Sequence, residues 1–239
     1  MDQSAMARSF TEAVDCTEHV GKSSRVAILG GRGSGEIAAD IIDRQARAGR
    51  LIELVGYLND ALPPGEELLG GNVIGPFAAW QDLADDIRIA APLHKAKAAA
   101  ERMERLTSLG IPDNRLATLV DPLAAVAAQT ELAPGALVGA HAVVGPSVSM
   151  GSLLSLWPAA QLGHDVQAED FVFVGRAAIV SGYCRLGCGA YVGPGAIVLE
   201  GRRVGRFAVV GAGAVVSKDV PDGSVVAGNP ARGVAGQRL

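Results

Sequence analysis

Residues 174–216 read, in groups of six, VGRAAI VSGYCR LGCGAY VGPGAI VLEGRR VGRFAV VGAGAV V. An apolar residue opens each group, glycine often follows it, and the fifth position is usually small. The register extends back to Val126, so sixteen successive groups begin with an apolar residue. A period of six matches neither an α-helix, with about 3.6 residues per turn, nor a long alternating strand.

This period predicts a coil with three flat sides, each formed by a short parallel strand and a turn. The apolar residue points into the prism, the small fifth residue fills the space near the axis, and the corner glycine permits a positive φ. Two places depart from the pattern. Trp157 takes the place of a corner glycine, and Arg202 stands where a small residue belongs, which we interpret as a local bulge.

Composition limits the possible functions. The 239 residues offer room for one large or two small domains, and the 4% aromatic content suits a narrow solenoid interior. A net charge of −4 argues against a nucleic-acid partner held by phosphate contacts. Neither a membrane-spanning stretch nor a secretory signal is found. The cysteines show no metal-binding spacing, so we read Cys184 and Cys188 as packing residues and expect a reducing, cytoplasmic location.

The chain divides into three parts by pattern. Residues 1–24 are polar and aperiodic, which predicts a flexible tail. Residues 25–121 predict an α/β, Rossmann-like domain with a small parallel sheet, and residues 122–239 form the solenoid domain. The predicted elements of the α/β part are strands at Arg25–Gly30, Leu51–Leu58, Leu68–Gly75, Ile87–Ala91 and Leu116–Val120, and helices at Glu36–Ala48, Pro76–Asp85 and Lys95–Leu109.

A glycine-rich turn, residues 30–35, follows the first predicted strand, at the edge where open α/β sheets bind ligands. Its glycines let backbone N–H groups approach a phosphate at the start of the helix. The dinucleotide fingerprint is incomplete, because Glu36 stands where a glycine is needed after Gly31 and Gly33. We therefore favour a nucleotide other than NAD, while a tight turn that serves packing alone stays an alternative.

Histidines are the candidate catalytic bases, and the chain has four of them. His19 lies in the tail, His94 is expected to open a helix, and His141 is expected to be exposed on a coil. His164 precedes Asp165 at a predicted corner, where an imidazole can project into a groove between packed prisms. An imidazole can act as a base near neutral pH, and an adjacent carboxylate orients it. A simple surface pair is the alternative.

The solenoid pattern resembles that of the hexapeptide-repeat acyltransferases, whose fold is a left-handed parallel β-helix. Over about residues 25–235 the chain is similar to the nucleotide-sugar N-acetyltransferases that are related to the sialic acid O-acetyltransferases. The matching features occur in one order: the glycine turn, Val55–Asp60, Val120–Pro122, the coils, Leu162–Asp165 and the ending Lys218–Arg232.

This resemblance implies a homotrimer that transfers an acetyl group from acetyl-CoA to the amino group of a UDP- or GDP-linked amino sugar, without a metal. His164 is implied as the general base and Asp165 as its support, and backbone N–H groups of the coils steady the oxyanion. The α/β domain binds the nucleotide-sugar, and acetyl-CoA lies between neighbouring β-helices. The implied substrate-binding residues are Gly31, Gly33, Ser34, Gly35, Asn59, Asp60 and Trp157. The implied acetyl-CoA-binding residues are Phe173, Gly175, Gly193, Gly211, Lys218, Asn229 and Pro230.

Several positions depart from the resemblance. Trp157-Pro158-Ala159 replaces the usual Asn-Thr-Gly, and Phe173 replaces a second histidine near acetyl-CoA. Ser34 replaces a frequent histidine, and Asn59 replaces the first of two aspartates. The changes at Trp157 and Phe173 affect the usual position of the acceptor and leave open a different sugar, a bulkier acyl group or a lost activity.

Three other functions were weighed against N-acetylation. O-acetylation of sialic acid or a related sugar and a catalytically silent nucleotide-sugar-binding trimer remain alternatives. Zinc-dependent hydration of carbon dioxide also uses this solenoid, but it needs three histidine ligands on one metal. The coils contain only His141 and His164, so the sequence disfavours it.

Overall fold

The structure, a computed structural model, describes residues 24–238, with side-chain environments through residue 234. The predicted flexible tail lies outside the described residues apart from Ser24. Across the described part, no helix has the length and apolar content needed to cross a membrane.

The N-terminal part is a small sheet with two α-helices and two 3-10 helices. The elements are β1 (Ser24–Leu29), α1 (Ser34–Arg47), β2 (Ile52–Leu58), β3 (Glu67–Leu68), β4 (Gly71–Gly75), a 3-10 helix (Phe77–Asp82), β5 (Ile87–Ala90), α2 (Ala99–Ser108) and a second 3-10 helix (Asp113–Arg115). Strand order in the sheet is β3-β4-β2-β1-β5, and all neighbours are parallel except the hairpin of β3 and β4.

Helix α1 packs on this sheet through a stripe of small and branched side chains. Ala38, Ile41 and Ile42 repeat at helical spacing and are almost fully buried. Gln45, a polar residue on the same stripe, is also buried, and its side-chain amide donates a hydrogen bond of 2.7 Å to the carbonyl of Val120. The bond satisfies a polar group that would otherwise be costly to bury, and it ties α1 to the start of the solenoid.

Two helices differ from the sequence-based expectation. The segment Phe77–Asp82 forms a 3-10 helix rather than a longer α-helix, and α2 begins at Ala99 rather than at Lys95. Cations in a first helical turn oppose the helix dipole, which accounts for the exclusion of Lys95 and Lys97. His94 therefore lies in a loop, and the prediction that it opens a helix was wrong.

The strand expected at Leu116–Val120 does not belong to the N-terminal sheet. It is reduced to Leu119–Val120, which pairs in parallel with Leu137–Val138 of the solenoid. A single bridge between Ile89 and Leu116 links this segment to β5. Val120 stands six residues before Val126, so the coil starts one group earlier than the sequence analysis placed it.

The solenoid has three parallel faces, and strand partners lie 18 residues apart, as in Ser155 opposite Phe173. Face one contains the strands Leu119–Val120, Leu137–Val138, Ser155–Leu156, Phe173–Val174, Tyr191–Val192, Val209–Val210 and Ser224–Ala227, with Arg232–Arg238 added antiparallel. Face two contains Ala125–Val126, Val143–Val144, Gln161–Leu162, Ile179–Val180, Ile197–Val198 and Val215–Val216. Face three contains Ser149–Met150, Gln167–Ala168, Arg185–Leu186 and Arg203–Val204.

The residues that open the groups of six point inward, as predicted. They form one buried cluster from Val138 to Val216, with Val126, Leu132 and Met150 packed against it and partly buried. Cys184 is fully buried and Cys188 nearly so, and burial raises the pKa of both thiols. Both cysteines are packing residues in this environment.

Arg202 does not mark a bulge. Its guanidinium Nε donates a hydrogen bond of 3.2 Å to the carbonyl of Glu200, while the flanking strands keep their register. The side chain is half-buried and turns away from the core, so the coil continues without an inserted residue.

The corner glycines serve a different purpose from the one predicted. Positive φ falls two residues later in each turn, as at His141 and Asp165, with φ of 58° and 56°. A Cβ at Gly163 would lie 2.7 Å from the amide nitrogen of Gly182 in the next coil. These positions need glycine because neighbouring turns stack too closely for a side chain, and the prediction of positive φ there was wrong.

The N-terminal sheet packs against face one. Leu119 and Leu137 share a buried cluster with Val26 and Tyr57. Phe171, at the corner between faces three and one, shares another with residues that include Leu29 and Leu93. Among residues 24–238, the N-terminal sheet and its helices leave faces two and three uncovered.

Candidate functional site

A cleft of about 510 Å³ opens at the carboxyl ends of the N-terminal strands. Strand β1 has β2 on one side and β5 on the other, so the strand order changes direction there. Open α/β sheets bind ligands at such a point. Loops after all three strands line the cleft: Gly30, Gly31, Arg32 and Ser34 after β1, Asn59 to Leu62 after β2, and Leu93, His94 and Lys95 after β5, with Phe77, Glu101, Arg102 and Arg105.

The cleft favours an anion. Arg32, Lys95, Arg102 and Arg105 line it, against the carboxylates Asp60 and Glu101. Helix α1 starts beside it at Ser34, where backbone N–H groups and the helix dipole favour a phosphate. This arrangement suits the diphosphate of a nucleotide.

The predicted substrate residues after β2 hold the cleft together. The Asn59 amide donates to the carbonyl of Gly30 at 2.9 Å, and its oxygen accepts from the N–H groups of Ala61 and Leu62. A Cβ at Gly31 would lie 2.7 Å from the amide nitrogen of Asn59, so this glycine allows the close approach of the two loops. Asn59 thus connects the loop after β2 to the loop after β1.

Asp60 and two of the predicted glycines also have structural partners. Asp60 forms an ion pair with Arg105, and its other oxygen accepts from the N–H of Phe77 at 2.8 Å. Gly33 has a φ of 84° and caps α1, and Gly35 is buried in the first turn. The structure brings Gly31, Ser34, Asn59 and Asp60 to the cleft lining, whereas Gly33 and Gly35 shape the turn behind it.

His164 and Asp165 form a hydrogen-bonded pair at the corner between faces two and three. The imidazole Nδ1 lies 2.9 Å from a carboxylate oxygen of Asp165, and the two side chains are 49% and 44% exposed. If the carboxylate accepts the Nδ1 proton, Nε2 is left with a free lone pair. The pair has the geometry of a base with an orienting carboxylate.

Two residues beside this pair were missed by the sequence analysis. A Cβ at Gly182 would lie 2.7 Å from Nε2 of His164, so the ring packs against this glycine. Tyr183 meets the imidazole edge-on at a ring-centre distance of 4.9 Å and is 57% exposed. Because one coil has 18 residues, Gly182 lies directly over His164. This neighbour can therefore be predicted from the six-residue period.

The predicted acetyl-CoA glycines form one column along the corner between faces one and two. Gly175, Gly193 and Gly211 are separated by single coils, and a Cβ on the first two would lie 2.7 Å from atoms of the next coil. Stacking alone therefore accounts for glycine at Gly175 and Gly193. Trp157 lies in the same column, one coil before Gly175, and places a large side chain where these positions carry glycine.

Trp157 and Phe173 belong to a row of aromatic side chains beside face one. Phe173 stacks on Tyr191 with ring centres 4.4 Å apart, and Trp157 meets Phe173 edge-on at 5.3 Å. The Arg176 guanidinium lies 4.9 Å from the centre of the Trp157 ring. These contacts hold the indole ring in place. Phe173 itself is buried.

The remaining predicted acetyl-CoA residues lie at the C-terminal end of the solenoid. Lys218, Asn229 and Pro230 are all exposed. The segment that contains Asn229 and Pro230 runs beside Val215 of face two, because Ala231 N–H donates to the Val215 carbonyl at 2.8 Å. All three side chains are therefore accessible near the end of face two.

His94 is a further histidine in the cleft lining, and burial lowers its pKa to about 3. Nearby carbonyls of Leu153 and Phe171 oppose part of this shift, while the charge of Arg102 adds to it. The imidazole is therefore neutral in the folded protein at neutral pH. It stays neutral in mild acid, where an exposed histidine becomes protonated.

This burial predicts a pH-dependent stability. As the pH falls below ~6.5, the unfolded chain protonates His94 while the folded chain does not, so the free energy of unfolding decreases. The contribution lost between pH 7 and pH 5 is about 2 kcal/mol, because each pH unit below ~6.5 costs about 1.4 kcal/mol until the folded pKa is reached. Urea unfolding of His94→Gln should show a correspondingly flatter pH dependence.

The exposed His141 provides the matched control for this measurement. His141→Gln should retain the pH dependence of the unsubstituted protein. Equal slopes for all three proteins would contradict the assigned burial of His94.

The structure separates the two halves of the candidate site within one chain. The cleft lies on the side of face one, whereas His164 lies at the opposite corner of the prism, between faces two and three. The glycine column and His164 occupy the two edges of face two. In residues 24–238, no group of three or more potential metal ligands is present.

Similarity to solved structures covers most of the chain. The acetyltransferase domain of PglB from Neisseria gonorrhoeae in complex with acetyl coenzyme A aligns with a TM-score of 0.76 and 28% identity, over 89% of this chain and 100% of that one. A mutant perosamine N-acetyltransferase from Caulobacter crescentus in complex with CoA and GDP-perosamine aligns with a TM-score of 0.72 and 25% identity, over 88% and 96% of the two chains. These similarities confirm the resemblance inferred from the sequence.

Comparisons based on sequence found less. No family model matches the chain, and no curated protein matches it.

Proposed function

We propose that this protein is an acetyl-CoA-dependent N-acetyltransferase that acts on the amino group of a UDP- or GDP-linked amino sugar. The observation that carries the proposal is the His164–Asp165 pair on a coil corner, in a chain that aligns almost end to end with acetyltransferases. The cation-rich cleft at the switch point of the N-terminal sheet supports a nucleotide-linked acceptor.

The same similarity supports the finer description of the fold. We assign the chain from residue 25 to the start of the coil at Leu119 to a Rossmann-like domain that binds the nucleotide-sugar, and the coils from Leu119 onward to a left-handed β-helix, which moves the boundary expected at residues 121 and 122. The parallel β4-β2-β1-β5 order and the crossover through α1 support the first assignment. The second rests on the alignment with PglB and the perosamine enzyme. Two free buried thiols, Cys184 and Cys188, are consistent with a cytoplasmic location.

In the proposed reaction, the sugar nitrogen attacks the thioester carbon of acetyl-CoA. Nε2 of His164 removes a proton from this nitrogen as the N–C bond forms, and the carbonyl electrons move to the oxygen. When the oxyanion collapses, the C–S bond breaks and the thiolate of CoA leaves, taking up a proton from the imidazolium. Asp165 holds the Nδ1 proton and stabilises the cation that His164 briefly becomes.

Gly182 is the candidate donor to the oxyanion. It packs against the His164 ring, and within the described residues its N–H makes no backbone hydrogen bond. A fixed N–H group beside the base stabilises charge that develops only during the reaction. Glycine at this position also leaves room for the thioester next to the imidazole.

The site requires a second copy of the chain. The cleft and His164 lie on opposite sides of one prism, so a neighbouring prism must bring its own His164 to the cleft side. Face two is suited to this contact, because its outward residues are mostly apolar and Val143 is 41% exposed; they are Val143, Gln161, Ile179, Ile197 and Val215. Face three presents Ser149, Gln167, Arg185 and Arg203 instead. We therefore assign a homotrimer with face two at the subunit contact.

Replacing Ile197 by glutamate should dissociate the trimer. The charge would be buried unpaired in the apolar contact, which opposes assembly. We expect a monomer by light scattering and a loss of turnover of at least about 100-fold, with binding of the nucleotide-sugar to the cleft retained.

Gln167→Glu, an equal charge change on face three, is the control and should remain a trimer with normal turnover. A trimeric Ile197→Glu variant would place the subunit contact elsewhere.

Acetyl-CoA is assigned to the groove between neighbouring prisms. In the assembled trimer this groove would run along Gly175, Gly193 and Gly211, whose lack of side chains leaves backbone accessible to the pantetheine arm. Lys218 offers a cation for the phosphates, and Asn229 and Pro230 border the same end. Phe173 and Trp157 would lie near the reacting end, and Trp157 would also face the acceptor sugar.

A panel assay tests the proposed activity. Release of CoA from acetyl-CoA is measured with UDP-, GDP- and CMP-linked amino sugars and with free hydroxyl sugars, including sialic acid. Turnover on a nucleotide-linked amino sugar is the expected result. Activity confined to hydroxyl sugars would instead establish O-acetylation. Thermal stabilisation by a nucleotide-sugar but not by acetyl-CoA, without turnover, would establish a silent binding trimer.

A further inference from the structure

His94 carries an unusual unsatisfied group. Its Nε2 is the one buried side-chain nitrogen or oxygen without a partner at hydrogen-bonding geometry among the residues whose side chains the structure describes, although the backbone carbonyls of Leu153 and Phe171 lie close to the ring. Buried polar atoms in folded proteins are nearly always paired, because leaving one unpaired sacrifices its hydration without replacement. Such an atom calls for a functional explanation when it borders a ligand cleft.

The other side of the ring is firmly held. Nδ1 lies 3.3 Å from the hydroxyl oxygen of Ser155, which is itself buried. The imidazole stacks on Phe171 with ring centres 4.2 Å apart, and the Phe173 ring centre lies 5.6 Å away. The ring is therefore fixed by face one, and its orientation does not depend on Nε2.

His94 stands between the cleft and the solenoid. It follows β5 and belongs to the cleft lining, while its ring contacts side chains of the β-helix. Phosphates are drawn to the cationic lining and to the start of α1, so the part of the ligand that continues towards the β-helix is the sugar. A neutral imidazole suits an uncharged hydroxyl, because it offers one hydrogen bond at Nε2 in either tautomer.

We propose that His94 is a substrate-positioning residue whose Nε2 forms a hydrogen bond with a hydroxyl group of the nucleotide-linked sugar. This inference rests on the proposed function and adds to it a specific contact for the sugar. Less than 1 Å² of Nε2 is open to solvent, so the sugar reaches it only with a small movement of the cleft wall. The contact aims the amino group at the β-helix rather than back into the cleft.

Two isosteric substitutions separate this role from packing. The amide of asparagine overlaps Nδ1, so His94→Asn keeps the bond to Ser155 and removes Nε2. The amide of glutamine overlaps Nε2, so His94→Gln keeps the ligand contact and loses the Ser155 bond. Calorimetry with the nucleotide-sugar that gives the highest turnover should show about tenfold weaker binding for His94→Asn and a change below about threefold for His94→Gln.

Titrations with the nucleoside diphosphate and with acetyl-CoA show which part of the substrate contacts His94. The corresponding nucleoside diphosphate and acetyl-CoA should bind both variants within about twofold of the unsubstituted protein. Equal losses for nucleoside diphosphate and nucleotide-sugar would overturn the sugar contact, and so would normal binding by His94→Asn. If the unsubstituted protein acetylates none of the sugars in the panel, the proposed function fails and not the role of His94 alone.

An NMR measurement on the unsubstituted protein covers the case in which a variant does not fold. The ¹⁵N resonance of His94 Nε2 should shift when the nucleotide-sugar is added and stay in place when only the nucleoside diphosphate is added. A resonance that ignores the sugar would contradict the proposal. Ser155→Ala, which removes only the Nδ1 partner, should preserve the sugar-induced shift.

Discussion

Replacing His164 by alanine is expected to lower turnover by about 10²–10⁴-fold, the range that a general base contributes. In the proposed mechanism, the substitution removes the Nε2 lone pair that takes the proton from the attacking nitrogen, while the exposed position spares the core. Binding of acetyl-CoA and of the nucleotide-sugar should change by less than about threefold. The effect should therefore fall on kcat rather than on KM, as measured by CoA release under saturating substrates.

Two controls refine this test. Asp165→Asn leaves the imidazole in place but no longer favours the Nδ1 tautomer, so we expect a smaller loss of turnover. His141→Ala removes another exposed imidazole from a coil turn and should have no effect. Near-normal turnover of His164→Ala would remove His164 from the mechanism.

Replacing Val174 by aspartate is expected to abolish folding of the solenoid and with it the proposed trimer. Val174 is completely buried in the prism, between Leu156 and Val192 of the neighbouring coils. An unpaired carboxylate there has neither water nor a partner, and the expected destabilisation is roughly 4 kcal/mol or more. Circular dichroism and light scattering on the purified protein should show loss of the folded trimer.

Gln167→Asp is the matched control for Val174→Asp. Gln167 lies in a strand of face three with its side chain exposed, opposite Ser149 and Arg185. The same carboxylate should be tolerated there with a change below about 0.5 kcal/mol. A folded Val174→Asp trimer would mean that the inward register of the coils is wrong.

The core of the solenoid could be predicted because its side chains obey a strict local period. Val138, Val174 and Val210 point inward because each coil contributes three short strands of the same length. The same period predicts two further features of the structure. It extends back to Val120 and places Gly182 over His164, so both the earlier start of the coil and the neighbour of the imidazole could have been found.

The role of the corner glycines could not be predicted from the turn alone. Local reasoning assigned them a positive φ, but the structure gives the positive φ to residues such as Asp165 and Phe171. The glycine requirement at Gly163 arises from the next coil, whose backbone comes too near for a Cβ. A contact between residues 18 positions apart is visible only when the coils are stacked.

The candidate site shows the same division. His164 and Asp165 are adjacent in the chain, so their hydrogen bond could be anticipated. The contact between His94 and Ser155 joins residues from the two halves of the protein, and nothing local to His94 indicates it. The residues around His94 predict the start of a helix, because the partners that hold its ring lie about 60 to 80 positions later in the chain.

The sequence by itself determined the prism, the inward residues and the corner that carries His164, because all three follow from a repeat that each short segment satisfies independently. Only the tertiary structure decided that His94 is half-buried with an unpaired, enclosed Nε2 and that the cleft and His164 lie on opposite sides of one prism. Those features depend on how the N-terminal sheet packs on face one. Such packing joins surfaces that are distant in the chain, so no local pattern encodes it.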